Sequence, residues 1–251
     1  MTDPGQVLVV IPTYDEVHNV ELAVSGVRAA VPVADVLVVD DDSPDGTGAV
    51  ADAMSAADPQ VHVLHRAGKQ GLGAAYRAGF GWGLERGYDV LVEMDADGSH
   101  RPEQLPDVLA GLSGGADLSL GSRWVAGGAV RNWPRRRLLL SRGANAYARL
   151  LLGLPVRDAT GGFRAIRREA LERIDLAGVT SQGYCFQVDV VRRAVDAGLS
   201  VVEVPIVFVE RERGYSKMDT AVVAEALWRV TAWGVARRLG SLRSRLSPTT
   251  R

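Results

Sequence analysis

Short apolar runs alternate with segments of helical periodicity through the first half of the chain. The runs that predict strands lie at residues 7–11, 36–39, 61–64, 90–94 and 117–120. Segments with apolar side chains at helical spacing lie at residues 19–30, 47–56 and 71–85, and a further helix is predicted to start with Pro102 in its first turn. Continuous apolar strands between helices are typical of βαβ units. The predicted fold class is therefore α/β, with a mainly parallel central sheet flanked by helices.

The pattern changes after residue 123. Residues 134–152 predict a basic amphipathic helix, because arginines alternate there with two runs of three leucines. The remaining predicted elements are a strand at 161–166, a helix at 184–197, a strand at 201–209 that Pro205 interrupts, and a last helix at 220–239. Neither an internal repeat nor a long linker divides the chain. We therefore predict one domain over residues 1–220, followed at 221–251 by a C-terminal helix and a basic tail.

The composition is that of an ordinary globular protein, with 47% hydrophobic and 24% charged residues among 251. The single cysteine, Cys185, excludes an intramolecular disulfide and a zinc site built from several cysteines. No run of 18 apolar residues predicts a membrane-spanning helix, and the N-terminus lacks the basic start of a signal peptide. We expect the chain to stay in the cytoplasm.

Positive charge is concentrated in two segments, although the net charge is only −1. Residues 118–157 contain eight arginines and no acid, and residues 222–251 contain six arginines and one acid. Such an asymmetry favours an anionic partner. A nucleic acid fits poorly, because few aromatic side chains lie among the arginines and because acidic strand ends would repel its phosphates.

Acidic residues follow three of the predicted strands, and an arginine follows a fourth. The clusters that stand after these strands are residues 12–16, 40–43, 95–97 and 121–123. In open α/β sheets, ligands bind outside the carboxyl ends of the strands, so these residues are the first candidates for a site. The packing of a hydrophobic core does not require so many carboxylates at one edge of the sheet.

Two carboxylates at positions i and i+2, Asp95 and Asp97, can together reach one hard divalent cation that also binds a diphosphate. The alternative is a solvated turn that ends the strand, and the neighbouring acidic strand ends favour the metal. In the acidic run after the second strand, helix capping explains Asp45. Capping explains Asp40 and Asp41 poorly, because they precede the turn, where a carboxylate can accept hydrogen bonds from a nucleoside.

Four motifs, in order, resemble those of the family 2 glycosyltransferases with the GT-A fold. They are Pro-Thr-Tyr-Asp-Glu at 12–16, Val-Val-Asp-Asp-Asp-Ser-Pro-Asp-Gly-Thr at 38–47, Met-Asp-Ala-Asp-Gly-Ser-His at 94–100 and Gly-Ser-Arg at 121–123. The segments at 160–165 and 208–217 extend the resemblance, which covers residues 6–220. Within the family, the chain is similar to the dolichol-phosphate mannose synthases and to the polyprenol-monophosphate mannose synthases of actinobacteria.

The resemblance implies a metal-dependent enzyme that transfers mannose from GDP-mannose to a polyprenyl monophosphate, with inversion at the anomeric carbon. Residues 1–220 would then form the GT-A catalytic domain. The residues that it places around the guanosine are Pro12, Tyr14, Glu16, Val39 and Asp41. Those that it assigns to the diphosphate and to a Mg²⁺ or Mn²⁺ ion are Asp95, Ala96 and Asp97, with Ser99 as a further neighbour of the metal.

Three basic residues would contact the phosphates of the donor, namely Arg123, Arg211 and Lys217, the last two from a segment that closes over it. Together with Asp95 and Asp97 they form the implied catalytic set. In the basic helix, Arg137 and Ser141 match the positions that receive the phosphate of the lipid acceptor. The alternatives are a surface salt bridge for Arg211 and a solvated arginine stripe for Arg137.

A polyprenyl acceptor lies in a membrane, and this gives the two basic segments a function. The helix at 134–152 and the C-terminal helix could lie on anionic lipid at the inner face of the plasma membrane. The alternative for the last helix is packing on the core with its polar face in water. The mode of attachment stays open, including dependence on a separate membrane protein.

Two other functions stay open at this point. The enzyme could use another nucleotide sugar, such as UDP-glucose, on the same kind of lipid, because fold alone does not separate the donors. A non-catalytic subunit that binds nucleotide sugars is the alternative from another class. The complete set of acidic and basic motif residues disfavours it, because a homologue without activity has no need to keep them all.

Overall fold

The computed structural model describes residues 5–179, 183–210 and 220–246. Its strands are β1 (Val7–Thr13), β2 (Asp35–Asp40), β3 (Val61–His65), β4 (Val90–Glu93), β5 (Leu118–Ser122), β6 (Ala129–Arg131), β7 (Arg164–Arg167), β8 (Val201–Pro205) and β9 (Val207–Val209). Its helices are α1 (Val20–Ala30), α2 (Thr47–Ala57), α3 (Leu72–Glu85), α4 (Leu105–Ala110), α5 (Arg135–Leu152), α6 (Arg168–Ile174), α7 (Gly183–Asp196) and α8 (Thr220–Leu246). The α/β fold class predicted from the alternation is confirmed.

Seven strands form the central sheet in the order β3-β2-β1-β4-β7-β5-β8. Every pairing is parallel except those of β7, which runs antiparallel between β4 and β5. The register places Thr13 of β1 beside Asp40 of β2, so that the carboxyl ends of these two strands lie together. This edge, with the residues that follow β4, is called the carboxyl edge below.

Apolar side chains fill both faces of the sheet, as the continuous runs predicted. Along β1, Leu8 and Val10 belong to one buried cluster and Val9 and Ile11 to the other. Because successive side chains of a strand point to opposite faces, this alternation means that β1 is covered on both sides. The first cluster also contains core residues of α3, α6 and α7, and the second contains those of α1 and α4.

A two-stranded parallel sheet of β6 and β9 lies beside the central one. The predicted strand at 201–209 is two strands, β8 in the central sheet and β9 in the small one, with Ile206 between them. Proline lacks the backbone N–H that a sheet interior requires, and Pro205 stands at the end of β8, where the chain changes sheets. Neither β6 nor α6 was predicted, because elements of three and seven residues are too short to show a clear pattern of apolar and polar positions.

The two basic helices pack against each other, and α8 also packs on α7. Val230 of α8 is buried in the core, and Gly234 allows close approach, because a Cβ there would lie 3.2 Å from Leu151. One face of α8 therefore packs on the core, which was the alternative considered for the last helix. The helix extends to Leu246, beyond its predicted end at 239. Among the described helices, none has both the length and the apolarity required to cross a bilayer.

Candidate active site

The ends of β1 and β2 are joined through one buried carboxylate. Asp40 accepts hydrogen bonds from the hydroxyls of Thr13 and Ser43 at 3.3 and 2.5 Å on the same oxygen, and from the backbone N–H of Ser43 on the other. Asp40 is only 3% exposed. It therefore holds the two loops together, and Asp41, the residue of this run that was predicted to contact the donor, is itself only 4% exposed.

Asp45 lies one residue before Gly46, the N-cap of α2, and bonds to Thr47, the first helical residue, so the predicted cap is displaced by one residue. Its carboxylate accepts hydrogen bonds from the backbone N–H and the hydroxyl of Thr47, and from the backbone N–H of Val17 in the preceding loop. Burial opposes ionisation of this group, but these hydrogen bonds outweigh it and lower the pKa of Asp45. The loop after β1 is thereby tied to the start of α2, which fixes the backbone around Tyr14 and Glu16.

Asp41 is buried and faces Arg66, which stands directly after β3. Nη1 of Arg66 lies 2.5 Å from Oδ1 of Asp41, and Nη2 of the same guanidinium donates to the Gln70 side chain at 3.0 Å. Nearby, the ammonium of Lys69 lies 4.1 Å from the ring centroid of Tyr14. Sequence reasoning missed Arg66 and Lys69, although the rule that ligands bind beyond strand ends also covers the residues after β3.

The other residues predicted around the guanosine differ in how deeply they are buried. Pro12, near the end of β1, is half-buried, as are Tyr14 and Glu16 in the loop after this strand, so part of each side chain is exposed. Val39 is 0% exposed and belongs to the core cluster that packs beneath α3. Core packing therefore encloses its side chain, and its predicted place beside the base and ribose stays a prediction.

Asp95 and Asp97 follow β4 at the carboxyl edge, and both are half-buried. Oδ1 of Asp95 accepts the hydroxyl proton of Tyr76 at 3.1 Å, and its backbone N–H donates to Nδ1 of His100 at 3.0 Å. Oδ1 of Asp97 accepts the backbone N–H of Ser99 at 3.1 Å, across Gly98, whose φ of 73° suits glycine. These bonds hold the two carboxylates in place at the carboxyl edge.

The groups behind Asp95 are neutral. Burial raises the pKa of Tyr76 well above its ordinary value, and Asp95 raises it further, so the hydroxyl stays protonated and donates. Burial lowers the pKa of His100, although the charges of Asp95 and Asp97 oppose this shift. His100 stacks on Phe163 with ring centroids 5.2 Å apart. Because Nδ1 accepts the N–H of Asp95, it is not available as a metal ligand.

A buried ion pair lies beneath this site. Glu93 and Arg164 are both wholly buried, with 3.9 Å between Oε2 and Nε. Burial raises the pKa of Glu93 to about 7, although the Arg164 cation opposes the rise. Arg164 also donates to the backbone carbonyls of Ala159, Gly161 and Gln187. The pair therefore fixes the segment that leads to Thr160, on the wall of the site.

Arg123 is ion-paired with Asp158, an aspartate that the sequence did not identify. Its Nε and Nη2 donate to the two oxygens of Asp158 at 2.7 and 2.6 Å, and Nη2 also donates to Thr160. Asp158 is 0% exposed and Arg123 is 6% exposed. Within the described part of the chain, Nη1 makes no hydrogen bond, so it is the nitrogen left for a ligand.

Hydrogen bonds connect this pair to α5. Asn145 donates to the hydroxyl of Thr160 at 2.9 Å and to the backbone carbonyl of Ser141 at 3.0 Å, and it accepts from the backbone N–H of Thr160. The helix that carries the predicted acceptor residues is thus held against the wall that carries Arg123. Asn145 is buried, which protects these bonds from competition with water.

Arg137 and Ser141 lie one helical turn apart on α5 and face the same cavity. The guanidinium of Arg137 is ion-paired with Glu210 and lies over the ring of Trp133, 4.2 Å from its centroid. Arg137 is therefore not part of a solvated arginine stripe, the alternative considered above, because only 19% of its side chain is exposed.

The cavity has a volume of about 450 Å³, within the usual range of ligand pockets, and joins the two carboxylates to α5 and α8. Its polar lining includes six of the predicted residues: Asp95, Asp97, Ser99, Arg123, Arg137 and Ser141. Its apolar lining comes from α5, α7 and α8 and includes Leu139, Leu140, Ala144, Tyr147, Ala148, Val188, Ala226, Leu227 and Val230. A second cavity of 340 Å³ shares Asp95 and Asp97 and is also lined by Ala96 and Glu210.

The structure thus brings six of the predicted residues together around one cavity. The loops after β1 and β2 carry the group around Asp41, while Asp95, Asp97, Arg123 and Arg137 line one cavity. Arg211 and Lys217 lie outside the described residues, so their predicted contacts with the donor stay predictions.

The arrangement is matched by known proteins along nearly the whole chain. The family model described as glycosyl transferase family 2 matches residues 8–175. Polyprenol monophosphomannose synthase of Mycolicibacterium smegmatis is 59% identical over 237 residues, which cover 94% of this chain and 89% of that protein. Undecaprenyl-phosphate mannosyltransferase of Micrococcus luteus is 56% identical over 241 residues, which cover 96% and 99%. Dolichol-phosphate mannosyltransferase of Pyrococcus furiosus is 37% identical over 235 residues, which cover 91% and 64%.

Solved structures of lower identity share the architecture. The crystal structure of glucosyl-3-phosphoglycerate synthase from Mycobacterium tuberculosis with phosphoglyceric acid has a TM-score of 0.67 at 20% identity, and covers 93% of this chain and 80% of its own. The same protein with Mn²⁺ and UDP-glucose has a TM-score of 0.66 at 20% identity, with 93% and 79% covered. These likenesses show the GT-A fold. With the family model over two thirds of its length and a relative 59% identical over nearly all of it, the chain belongs to glycosyl transferase family 2.

Proposed function

We propose that this enzyme transfers mannose from GDP-mannose to a polyprenyl monophosphate and forms a polyprenyl phosphate β-mannose. The single observation that carries the proposal is the cavity in which a carboxylate pair and an arginine open into an apolar groove between helices. A polar end with a long apolar wall fits an acceptor that is a phosphate on a hydrocarbon chain. The names of the two relatives above 50% identity agree with mannose and with this class of lipid.

The groove runs along α5 and α8 and supplies the apolar part of the acceptor site. Leu140 and Ala144 of α5 face Leu227 and Val230 of α8 across it. Arg137 and Ser141 stand at its polar end, on the side of Asp95. An acceptor bound with its chain in the groove would therefore bring its phosphate to Arg137, beside the carboxylate pair.

The donor is proposed to bind along the loops after β1, β2 and β4. Tyr14 and Glu16 line the first loop, and Asp41 with Arg66 stands beside it, which offers both acceptors and donors to a nucleoside. Arg123 would meet the diphosphate through Nη1. Neither relative's name includes the nucleotide, so GDP-mannose rests on the resemblance of the motifs, and UDP-glucose is the competing donor.

A divalent cation fits the carboxylate pair. Asp95 and Asp97 are hard oxygen ligands that line both cavities, and their carboxylates are held by the hydroxyl of Tyr76 and by the backbone N–H of Ser99. No group of three or more acidic, histidine or cysteine side chains suited to a metal occurs among the described residues. Two protein ligands leave positions for a diphosphate and water, which is the mode that Mg²⁺ favours. Bound there, the ion would stabilise negative charge on the departing diphosphate. Ser99 has a buried hydroxyl with no partner and stands beside this pair.

The protein's own part in the reaction is positioning and charge stabilisation. The nucleophile is a phosphate oxygen that is anionic at neutral pH, so a strong general base is not required. Arg137 and Ser141 would hold it close to the anomeric carbon, which accounts for much of the rate in such reactions. Attack opposite the departing diphosphate inverts the α-linked donor to a β product.

The surface of α5 and α8 suits a membrane. Of the eight exposed large hydrophobic residues in the described chain, six lie on these two helices: Leu139, Leu140, Leu150, Leu227, Trp228 and Val235. The same two helices also carry arginines of both basic segments. Apolar side chains and basic groups on one surface favour binding to anionic lipid, so we place the enzyme peripherally at the inner face of the plasma membrane.

Arg137→Ala tests the acceptor half of the proposal. A charge-assisted bond to phosphate is worth about 1.5–3 kcal/mol, so KM for polyprenyl phosphate in detergent micelles should rise roughly ten- to a hundredfold. Affinity for the donor should be unchanged. Arg137→Lys should restore part of the loss, because lysine lacks the planar pair of donors. Arg149→Ala is the control, since it removes an arginine of α5 that does not line the cavity. An unchanged lipid dependence in Arg137→Ala would refute the acceptor assignment.

Calorimetry tests the donor half. GDP-mannose, UDP-glucose and GDP-glucose are titrated into the protein with Mn²⁺ present, and GDP-mannose should bind most tightly. The order of the two GDP sugars reports recognition of mannose, and the comparison with UDP-glucose reports recognition of the base. Tighter binding of UDP-glucose would transfer the proposal to the competing donor and would leave the acceptor assignment intact.

A further inference from the structure

The residue proposed to receive the acceptor's phosphate already has an anionic partner. Arg137 is ion-paired with Glu210, which stands directly after β9. On its other side, the guanidinium lies over Trp133. The backbone N–H of Glu210 donates to the carbonyl of Arg131 in β6 at 3.1 Å, so the small sheet places this carboxylate. The position of Glu210 is therefore set by the fold and not by Arg137 alone.

The pair stands at the boundary between the two cavities. Arg137 lines the larger cavity, which holds the apolar groove, and Glu210 lines the smaller one. Asp95 and Asp97 line both. An acceptor phosphate that approaches the carboxylate pair along the groove must therefore meet Arg137 where Glu210 holds it.

Glu210 is incompletely satisfied in this arrangement. Only one of its oxygens contacts Arg137, and the other is buried without a hydrogen-bond partner among the described residues. An ion pair of this kind contributes little net free energy, because the desolvation of the charges offsets most of their attraction. A phosphate with two negative charges and three free oxygens can replace the carboxylate on Arg137, since the guanidinium binds phosphate in two-pronged geometry.

We propose that Glu210 and the acceptor's phosphate alternate as ionic partners of Arg137. The phosphate replaces Glu210 on Arg137 when the acceptor binds, and Glu210 pairs with Arg137 again after transfer. The inference rests on the proposed function. Polyprenyl phosphate is largely a dianion at neutral pH, whereas the mannosylated product is a phosphodiester with one negative charge. The product therefore holds Arg137 more weakly than the substrate does, and the returning carboxylate displaces it. Glu210 is a positioning residue in this scheme and touches neither reacting atom.

Glu210→Gln removes the competing charge and keeps the shape of the side chain. We expect KM for polyprenyl phosphate to fall about three- to tenfold, because a half-buried ion pair that competes with the phosphate is lost. The inhibition constant of the mannosylated lipid should fall as well. The value of kcat should stay the same or decrease, because product leaves more slowly. Glu210→Ala should act in the same direction. Glu172→Gln is the control, because it breaks an arginine–glutamate pair on α6 away from both cavities.

The double variant with Arg137→Ala separates this exchange from other effects. If Glu210 acts through Arg137, Glu210→Gln has no further effect on acceptor KM in that background. An increase in KM in the single variant would mean that Glu210 holds Arg137 ready for the phosphate, and an unchanged KM would mean that the pair is inert; either outcome overturns the inference. If Arg137→Ala alone leaves acceptor KM unchanged, the proposed function fails instead, so the two failures are distinguishable.

Discussion

Tyr76 offers the sharpest test of how the carboxylate pair is held. The side chain is wholly buried in α3, where its ring stacks on Phe80 and Phe186 with centroids 5.8 and 6.0 Å away. Its hydroxyl donates to Asp95. Tyr76→Phe therefore removes one hydrogen bond to the carboxylate and leaves the aromatic packing in place. The ring keeps its burial, so the fold should tolerate the change.

The size of the effect follows from the geometry. A hydrogen bond to a charged group contributes about 1.5–3 kcal/mol, but this one is 3.1 Å long and Asp95 is 32% exposed, so water can replace part of it. The lower end of that range, about 1.5 kcal/mol, corresponds to roughly a tenfold change in an equilibrium constant, because about 1.4 kcal/mol is a factor of ten. We expect the affinity for Mn²⁺ with GDP to fall about tenfold, because Asp95 loses its fixed orientation. The free energy of unfolding should change by less than about 1 kcal/mol, since Asp95 is partly exposed and water can donate to the oxygen that loses the tyrosine hydroxyl.

Calorimetry of Mn²⁺ and GDP binding and thermal unfolding measure the two quantities. Tyr88→Phe is a matched control, because Tyr88 donates to Asp35 at 2.5 Å and both lie at the opposite end of the strands from the site. The control should lower stability without changing metal or donor affinity. Equal affinities in wild type and Tyr76→Phe would show that the hydroxyl has no part in orienting Asp95, and the reasoning above would be refuted.

Three further outcomes follow from the structure. Asp97→Asn should abolish turnover without loss of fold, and EDTA should reproduce this loss until Mg²⁺ or Mn²⁺ is added back; full activity in metal-free buffer would contradict the metal assignment. The hydrogen bond to Asp52 raises the pKa of His65, although burial opposes the rise. The protonated imidazole therefore stabilises the fold fully below the ordinary pKa of 6.5, and this stabilisation is lost as the pH rises through the higher pKa of the folded state. Chemical denaturation across that pH window should show this decline in wild type and not in His65→Gln. Trp228→Ser, at a residue 71% exposed on α8, should weaken co-sedimentation with anionic vesicles, and equal sedimentation would argue against this membrane surface.

The arrangement of the sheet was predictable only in part. Apolar runs identify β1 to β5, because a strand buried on both faces leaves a continuous pattern. The placement of β7 between β4 and β5 depends on pairing with strands more than 40 residues away, which local pattern does not encode. β6 is only three residues long and exists through its pairing with β9. Local signal therefore yields the fold class, and long-range pairing decides the order.

The candidate site shows the same division. Asp95 and Asp97 were identifiable because they follow a strand at the edge where ligands bind. Asp158 and Glu210, the partners of Arg123 and Arg137, were not identified, because an ion pair between distant segments leaves no periodic mark in the sequence. Tyr76 was missed for a related reason, since a buried tyrosine on a helix face is indistinguishable from core until its hydroxyl is seen to reach a carboxylate.

These missed partners change the charge balance of the site. Asp158 neutralises Arg123 and Glu210 neutralises Arg137, so the arginines lining the larger cavity supply directional N–H groups more than net positive charge. A divalent ion would cancel Asp95 and Asp97 and leave this part of the site neutral. A nucleotide-sugar diphosphate brings further negative charge, which grows on the leaving group during transfer. Among the described residues that line the two cavities, the remaining cation is Arg101, which lies 3.6 Å from Glu103, so the described lining offers little net positive charge to the diphosphate. This deficit is an electrostatic reason, independent of the motif resemblance, to expect Arg211 and Lys217 on the donor's phosphates, and to expect Glu210 to release Arg137 only to an anion.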